Sequence, residues 1–70
     1  MTNYKKAIVK QNVQRIIQLE PQIHKLVGLL DLGISKVYSQ EKTVEIAMAL
    51  SDTLNQMDSD LTALVDLLND

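Results

Sequence analysis

The sequence predicts an all-α protein, a helical hairpin of two long amphipathic helices that self-associates as a four-helix bundle. Apolar residues repeat at alternating spacings of three and four in both halves of the chain, as they do in helices that pack along one side. Only one Pro and two Gly occur in 70 residues, too few to separate many short strands. Because the chain has no Cys, so small a domain depends on a closely packed helical core or on association with another chain.

The second helix is predicted over about residues 41–69. Glu41 falls in its first turn, where the positive end of the helix dipole stabilises an acidic side chain. Ser39 or Thr43 is expected to cap its start. Its apolar stripe has a period of 3.5 residues, which is typical of a coiled coil. The stripe consists of Ala47, Leu50, Leu54, Met57, Leu61, Leu64 and Leu68.

The first helix is predicted over about residues 3–37, with Pro21 inside it. A Pro within a helix removes one hydrogen bond and clashes with the preceding turn, but the apolar stripe passes Pro21 without a change of phase. We therefore expect a helix that is kinked at Pro21 or broken there, and a break allows a three-helix bundle as the alternative fold. Gly33 either ends the helix early or allows close packing. The stripe consists of Val9, Val13, Ile16, Ile23, Val27, Leu30, Ile34 and Val37, and Glu20 occupies its one polar position.

The turn between the helices is predicted at about residues 38–41, so that residues 1–70 form a single helical domain. Residues 1–38 contain six Lys or Arg against two acidic residues, whereas residues 39–70 contain one Lys against seven acidic residues. A turn at this point makes the two helices antiparallel and brings the basic start of the chain beside its acidic end, which includes Asp70. Opposite charges favour this pairing over a parallel one.

Both apolar stripes are wider than a two-helix hairpin needs. Further apolar residues adjoin them: Ile17, Leu19, Leu26, Leu29 and Leu32 in the first half, and Val44, Ile46, Val65 and Leu67 in the second. Wide apolar faces are typical of bundles of three or more helices. We therefore expect the chain to associate with itself, as a dimer or a tetramer, and with an unidentified protein. The residues expected at the oligomer or partner interface are Ile16, Ile23, Leu26, Leu30, Leu50, Leu54, Met57, Leu61, Leu64 and Leu68.

No motif in the sequence predicts a catalytic, cofactor-binding or metal-binding site, so we do not expect an enzyme. His24 is the one histidine, and Glu20 lies four residues before it on the same helical face. A metal site needs more ligands than these two side chains supply. A nucleophilic serine needs a base, and a single histidine leaves the serines without an obvious one. We interpret His24 as a surface residue.

The expected function is that of a small helical module for protein–protein interaction or regulation, of the kind found among bacterial and phage accessory proteins. No apolar run reaches the length of a membrane span, and the cytoplasm is the expected location. The alternative is a small nucleic-acid-binding regulator that uses residues 29–40, where Leu-Gly-Ile-Ser before a Lys is similar to the turn of a helix-turn-helix. The basic first helix is its other candidate surface, although the acidic second helix opposes phosphate binding. The basic residues concerned are Lys5, Lys6, Lys10 and Arg15.

Overall fold

Two helices form the fold in the computed structural model, which describes residues 1–69 of the chain. Helix α1 spans Asn3–Ile34 and helix α2 spans Gln40–Asn69. They pack against each other as an antiparallel hairpin, whose Cα positions extend over 52 × 16 × 11 Å. The predicted all-α hairpin is confirmed, and the basic start of α1 lies alongside the acidic end of α2. Asp70, predicted to join that acidic end, is outside the described residues.

Helix α1 runs through Pro21 without interruption. Pro21 is exposed, so its ring projects away from α2 and leaves the packing between the helices intact. The missing N–H leaves the carbonyl of Ile17 without its helical partner, and Ile17 is itself 49% exposed, so solvent can reach that part of the helix. The broken first helix and the three-helix bundle are therefore wrong for the range 1–69.

Helix α1 ends at Ile34, three residues before the predicted end, and the turn occupies residues 35–39 instead of 38–41. The cause is a Schellman motif, in which Lys36 adopts a left-handed conformation with φ of 64°. The N–H groups of Lys36 and Val37 donate to the carbonyls of Gly33 and Leu32, both at 3.0 Å. These two bonds satisfy two carbonyls in the last turn of α1, and the chain reverses there.

Helix α2 begins at Gln40, one residue before its predicted start. Of the two expected capping residues, Ser39 takes the role, because its Oγ accepts a hydrogen bond from the N–H of Lys42 at 3.1 Å. The side chain of Thr43 instead donates to the carbonyl of Ser39 at 2.9 Å. At the start of α1, the Oγ1 of Thr2 accepts from the N–H of Lys5 at 3.1 Å in the same way.

Gly33 fixes how the two helices approach. It is buried and helical rather than a residue that stops α1. A Cβ at this position would meet Oγ1 of Thr43 and lie 2.8 Å from its Cγ2, so only Gly permits this approach. Because the helices are antiparallel and rise equally per residue, residues at equal distances from Gly33 and from Thr43 lie opposite each other. Leu64 is thus opposite Asn12, since each lies 21 residues away.

The residues between the helices form a seam in which each is buried or half-buried. In α1 the seam consists of Val9, Asn12, Ile16, Leu19, Ile23, Leu26, Leu30 and Gly33, and in α2 of Thr43, Ile46, Leu50, Thr53, Met57, Asp60, Leu64 and Leu67. Spacings of three and four alternate along both. This regular alternation is typical of helices that pack as a coiled coil.

Candidate interaction surface

The seam of α2 differs from the stripe that the sequence predicts. Both contain Leu50, Met57 and Leu64. Four further seam positions are the residues just before predicted ones: Ile46, Thr53, Asp60 and Leu67. Thr53 and Asp60 therefore face α1 where the stripe predicts leucines. As a result, the leucines at the other edge of the stripe do not pack inside the hairpin. They are Leu54, Leu61 and Leu68, exposed by 46%, 43% and 54%.

These leucines share one side of the hairpin with apolar residues of α1. Successive residues turn by about 100° around a right-handed helix, and the two helices run in opposite directions. The residue that follows a seam position therefore lies on the same side of the hairpin in both helices. In α1 these residues include Val13, Val27 and Ile34, and in α2 they include Leu54 and Leu61. We call this side the open face. Its apolar members are Val13, Ile17, Val27 and Ile34 of α1, and Val44, Ala47, Leu54, Leu61, Val65 and Leu68 of α2.

The open face holds most of the exposed apolar surface. Of the thirteen large hydrophobic residues that are exposed within residues 1–69, eight lie on it, with exposures between 43% and 70%. The other five, among them Met48 and Tyr4, are scattered over the turn, the chain start and the other sides. In the same range Ile46, at 5%, is the one buried hydrophobic residue. The hairpin alone thus leaves its apolar residues mostly without a core.

The dimensions of the hairpin give the same result. A folded monomer of 7.9 kDa is expected to expose about 4,400 Å², but this chain exposes 5337 Å². The radius of gyration is 16.0 Å, against about 11 Å for a compact domain of this length. The excess surface of about 900 Å² is close to the roughly 800 Å² that each partner buries in a standard protein–protein interface.

The residues predicted for the oligomer or partner interface fall into two groups. Leu54, Leu61 and Leu68 lie on the open face. The others lie in the seam, where they contribute to packing within the hairpin and remain only half-buried: Ile16, Ile23, Leu26, Leu30, Leu50, Met57 and Leu64. Those among them that border the open face keep surface that another chain could cover. The predicted stripe therefore straddles the boundary between the seam and the open face.

The opposite side of the hairpin is mainly polar. It carries the residues that precede the seam positions, which include Arg15, Gln22, Lys42 and Gln56. Near the turn, a shallow groove of about 430 Å³ interrupts it. The groove is lined by Leu26, Leu29, Tyr38, Lys42, Glu45, Ile46 and Ala49. Nothing in the sequence pattern signalled this groove, because it depends on where Tyr38 lies after the turn.

Two polar residues are buried in the half of the hairpin away from the turn. Asn12 is 1% exposed, and its Oδ1 has no hydrogen-bond partner within the described part of the chain. Asp60 is 8% exposed, and its Oδ1 accepts from Nε2 of Gln56 at 3.2 Å. Both lie close to the level of Leu64 along the hairpin. Buried polar groups reduce stability but restrict helices to one register.

The residues that the sequence singled out for chemistry do not form a centre. Glu20 and His24 are both exposed, one helical turn apart on the open face of α1. Across residues 1–69, no three His, Cys, Asp or Glu side chains are grouped closely enough to hold a metal ion. The arrangement offers apolar and charged surface for contact with another macromolecule.

The residues proposed for nucleic-acid binding are dispersed. Lys5 is half-buried at the seam, Lys6 and Lys10 lie on the open face, and Arg15 lies on the opposite side. Residues 29–34 belong to α1, so the stretch similar to a helix-turn-helix is the end of a long helix followed by the hairpin turn. Its two helices lie side by side, whereas those of a helix-turn-helix cross at about 90–120°.

Neither helix, over the described range 1–69, contains an apolar segment of the length that a bilayer requires. Comparison of the chain with protein-family models, with curated proteins and with solved structures gave no match. The function is therefore inferred from the surface itself.

Proposed function

We propose that the protein is a non-enzymatic helical interaction module that acts as a self-associated bundle. In this proposal two hairpins join through their open faces to form a four-helix bundle, which could pair again as a tetramer. The observation that supports it is that, within residues 1–69, eight exposed apolar side chains lie on one face of the hairpin and one hydrophobic residue is buried. Contiguous exposed apolar surface of this kind marks an interaction site.

The energy available from this association is substantial. Each of the eight side chains is about half exposed, and burying the remainder contributes roughly 0.7–1.5 kcal/mol per side chain. Two chains together would gain on the order of 10 kcal/mol or more. Association itself costs about 4–15 kcal/mol, so the balance favours a dimer at micromolar concentrations when packing is good.

The bundle would leave charged surfaces outside, and these are where a further protein would bind. The proposed role is regulatory and the proposed location is the cytoplasm, and the exposed apolar surface of the open face is what supports a role in binding. The groove beside Tyr38 lies away from the open face and stays accessible in the bundle. A regulator of this type would act by covering a surface of its unidentified partner or by presenting its own surface to that partner.

The test is sedimentation equilibrium of the wild-type chain and of two variants. The wild type is expected to sediment at twice 7.9 kDa or more, with a thermal midpoint that rises with protein concentration. Leu61→Asp places a charge on the open face and is expected to abolish both the association and the cooperative unfolding. Met48→Asp is the matched control, because Met48 is more exposed, at 63%, and lies on the outer side of the same helix.

A wild type that sediments as a single chain at tens of micromolar would contradict the proposal. So would a Leu61→Asp variant that keeps the wild-type mass and unfolding transition. If Met48→Asp lost association as strongly as Leu61→Asp, the effect would come from an added charge anywhere on α2, and the open face would not be the interface.

A further inference from the structure

We infer that the occupant of the open face is a second copy of the chain in the antiparallel orientation, with a two-fold axis beside Leu54. The turns of the two hairpins then lie at opposite ends of the bundle. This inference deepens the proposed function and rests on it. It is carried by the order of charges and apolar residues along the open face, which fits one orientation of a second copy and conflicts with the other.

The extent of α2 places the axis. Two copies of Gln40–Asn69 overlap fully when they are related about their midpoint, which falls at Leu54 and Asn55. Leu54 lies on the open face and would meet Leu54 of the partner subunit. The register of the hairpin puts Gln22 at the same level, because Leu54 follows Thr43 by eleven residues and Gln22 precedes Gly33 by eleven.

The remaining open-face residues of α2 then match in pairs. Ala47 and Leu61 each lie seven residues from Leu54, so the small side chain of one copy faces the large one of the other. Val44 and Val65 lie ten and eleven residues away and come together at the ends. Ser51 and Asp58, at three and four residues, face each other as a hydroxyl donor and a carboxylate acceptor.

The same axis relates the open-face residues of α1. Glu20 and His24 each lie two residues from Gln22, so Glu20 would face His24 of the partner subunit, twice per dimer. Ile17 and Val27, five residues from Gln22, would pack together. This explains why an otherwise apolar stripe contains a carboxylate at position 20. Lys10 comes within one helical turn of the level of Asp31 of the partner subunit, which adds a second complementary pair.

The parallel orientation, with both turns at one end, lacks this complementarity. It would place α1 of one copy over α2 of the other at the same level. Glu20 would then lie within a turn of Asp58 of the partner subunit, and Leu54 would face α1 of the partner subunit between two polar open-face positions, those of Glu20 and His24. Like charges opposed in an interface are unfavourable, so the charge pattern selects the antiparallel dimer.

Single-cysteine variants test the orientation directly, because the chain has no cysteine of its own. In the antiparallel dimer, Leu54→Cys is expected to form a disulfide-linked dimer on mild oxidation, since the two positions meet at the axis. Asp52→Cys is the matched control, exposed on the opposite side of α2 two residues away. A refolded mixture of Val44→Cys and Val65→Cys is expected to give the mixed dimer rather than either self-linked species, as measured by mass spectrometry.

Each outcome is decisive when read beside sedimentation of the wild type. A wild type that is a single chain would overturn both the proposed function and the inference. A wild-type dimer whose Leu54→Cys variant links no better than Asp52→Cys would overturn the inference alone. A preference for self-linked Val44→Cys dimers over the mixed species would also contradict it, since the two copies of position 44 lie at opposite ends of an antiparallel dimer.

Discussion

Gly33 and Thr43 define the closest approach of the two helices. A methyl group added at Gly33 would meet Oγ1 and Cγ2 of Thr43, and overpacking of this type costs about 1–3 kcal/mol. Gly33→Ala is therefore expected to lower the free energy of unfolding by this amount, although Ala is the better helix former. Urea denaturation at a fixed protein concentration measures the change.

Gly28 supplies the control for this prediction. No atom lies within 4 Å of the position that its Cβ would take, so Gly28→Ala is expected to raise stability by about 0.5–1 kcal/mol. Thr43→Ala removes Oγ1 and Cγ2, the two nearest atoms, and leaves Cβ at 3.0 Å, so it should restore part of the loss in Gly33→Ala. Equal stability of the Gly33→Ala and Gly28→Ala variants would contradict the close approach.

Asp60 is a charge at a position that the seam would fill better with an apolar side chain. It is 8% exposed and accepts one hydrogen bond, from Gln56, and the register places Ile16 opposite it. Asp60→Leu is expected to raise the thermal midpoint, with a gain of about 1 kcal/mol or more, because it removes a desolvated carboxylate and adds apolar contact. Asp52→Leu makes the same chemical change at an exposed site and should change stability little. A loss of stability in Asp60→Leu would show that the carboxylate stabilises the seam.

At the scale of the element, the two helix ends that meet at the turn differ in how well the sequence predicts them. Ser39 is a preferred capping residue, so the start of α2 was predicted within one residue. The end of α1 depends on the left-handed conformation of Lys36. Lysine carries no signal for that conformation, which is usually taken by Gly or Asn, so the predicted end was three residues late. Pro21 left the two alternatives open, because the phase of the stripe is compatible with a kink or a break.

Lys36 also gives a prediction at this scale. A side chain at φ of 64° is strained by about 1 kcal/mol relative to Gly. Lys36→Gly is therefore expected to raise stability by about 1 kcal/mol, while Lys25→Gly, inside α1, should lower it by about as much. Both variants lose one Lys and gain one Gly, so any difference between their free energies of unfolding comes from the position of the substitution. Chemical denaturation measures that difference. A Lys36→Gly variant as destabilised as Lys25→Gly would be inconsistent with the Schellman motif.

At the scale of the whole molecule, periodicity was enough to predict an all-helical hairpin with excess apolar surface. It could not show which edge of the stripe faces the other helix, because Leu50, Met57 and Leu64 belong to both the seam and the predicted stripe. The edge that faces α1 is the one consistent with the close approach of Gly33 to Thr43. No sequence motif predicts that contact. The ten predicted interface residues therefore divide between the seam and the open face.

The distribution of buried residues also indicates that the local stability of the hairpin varies along its length. Ile46, the one buried hydrophobic residue within the described range, lies near the turn, whereas Asn12 and Asp60 are buried toward the other end. Local opening costs least where polar groups replace apolar contact. The hairpin is therefore expected to fray from the end where the chain begins, with the turn as the last part to melt, so that a partner which needs separated helices would gain entry at that end.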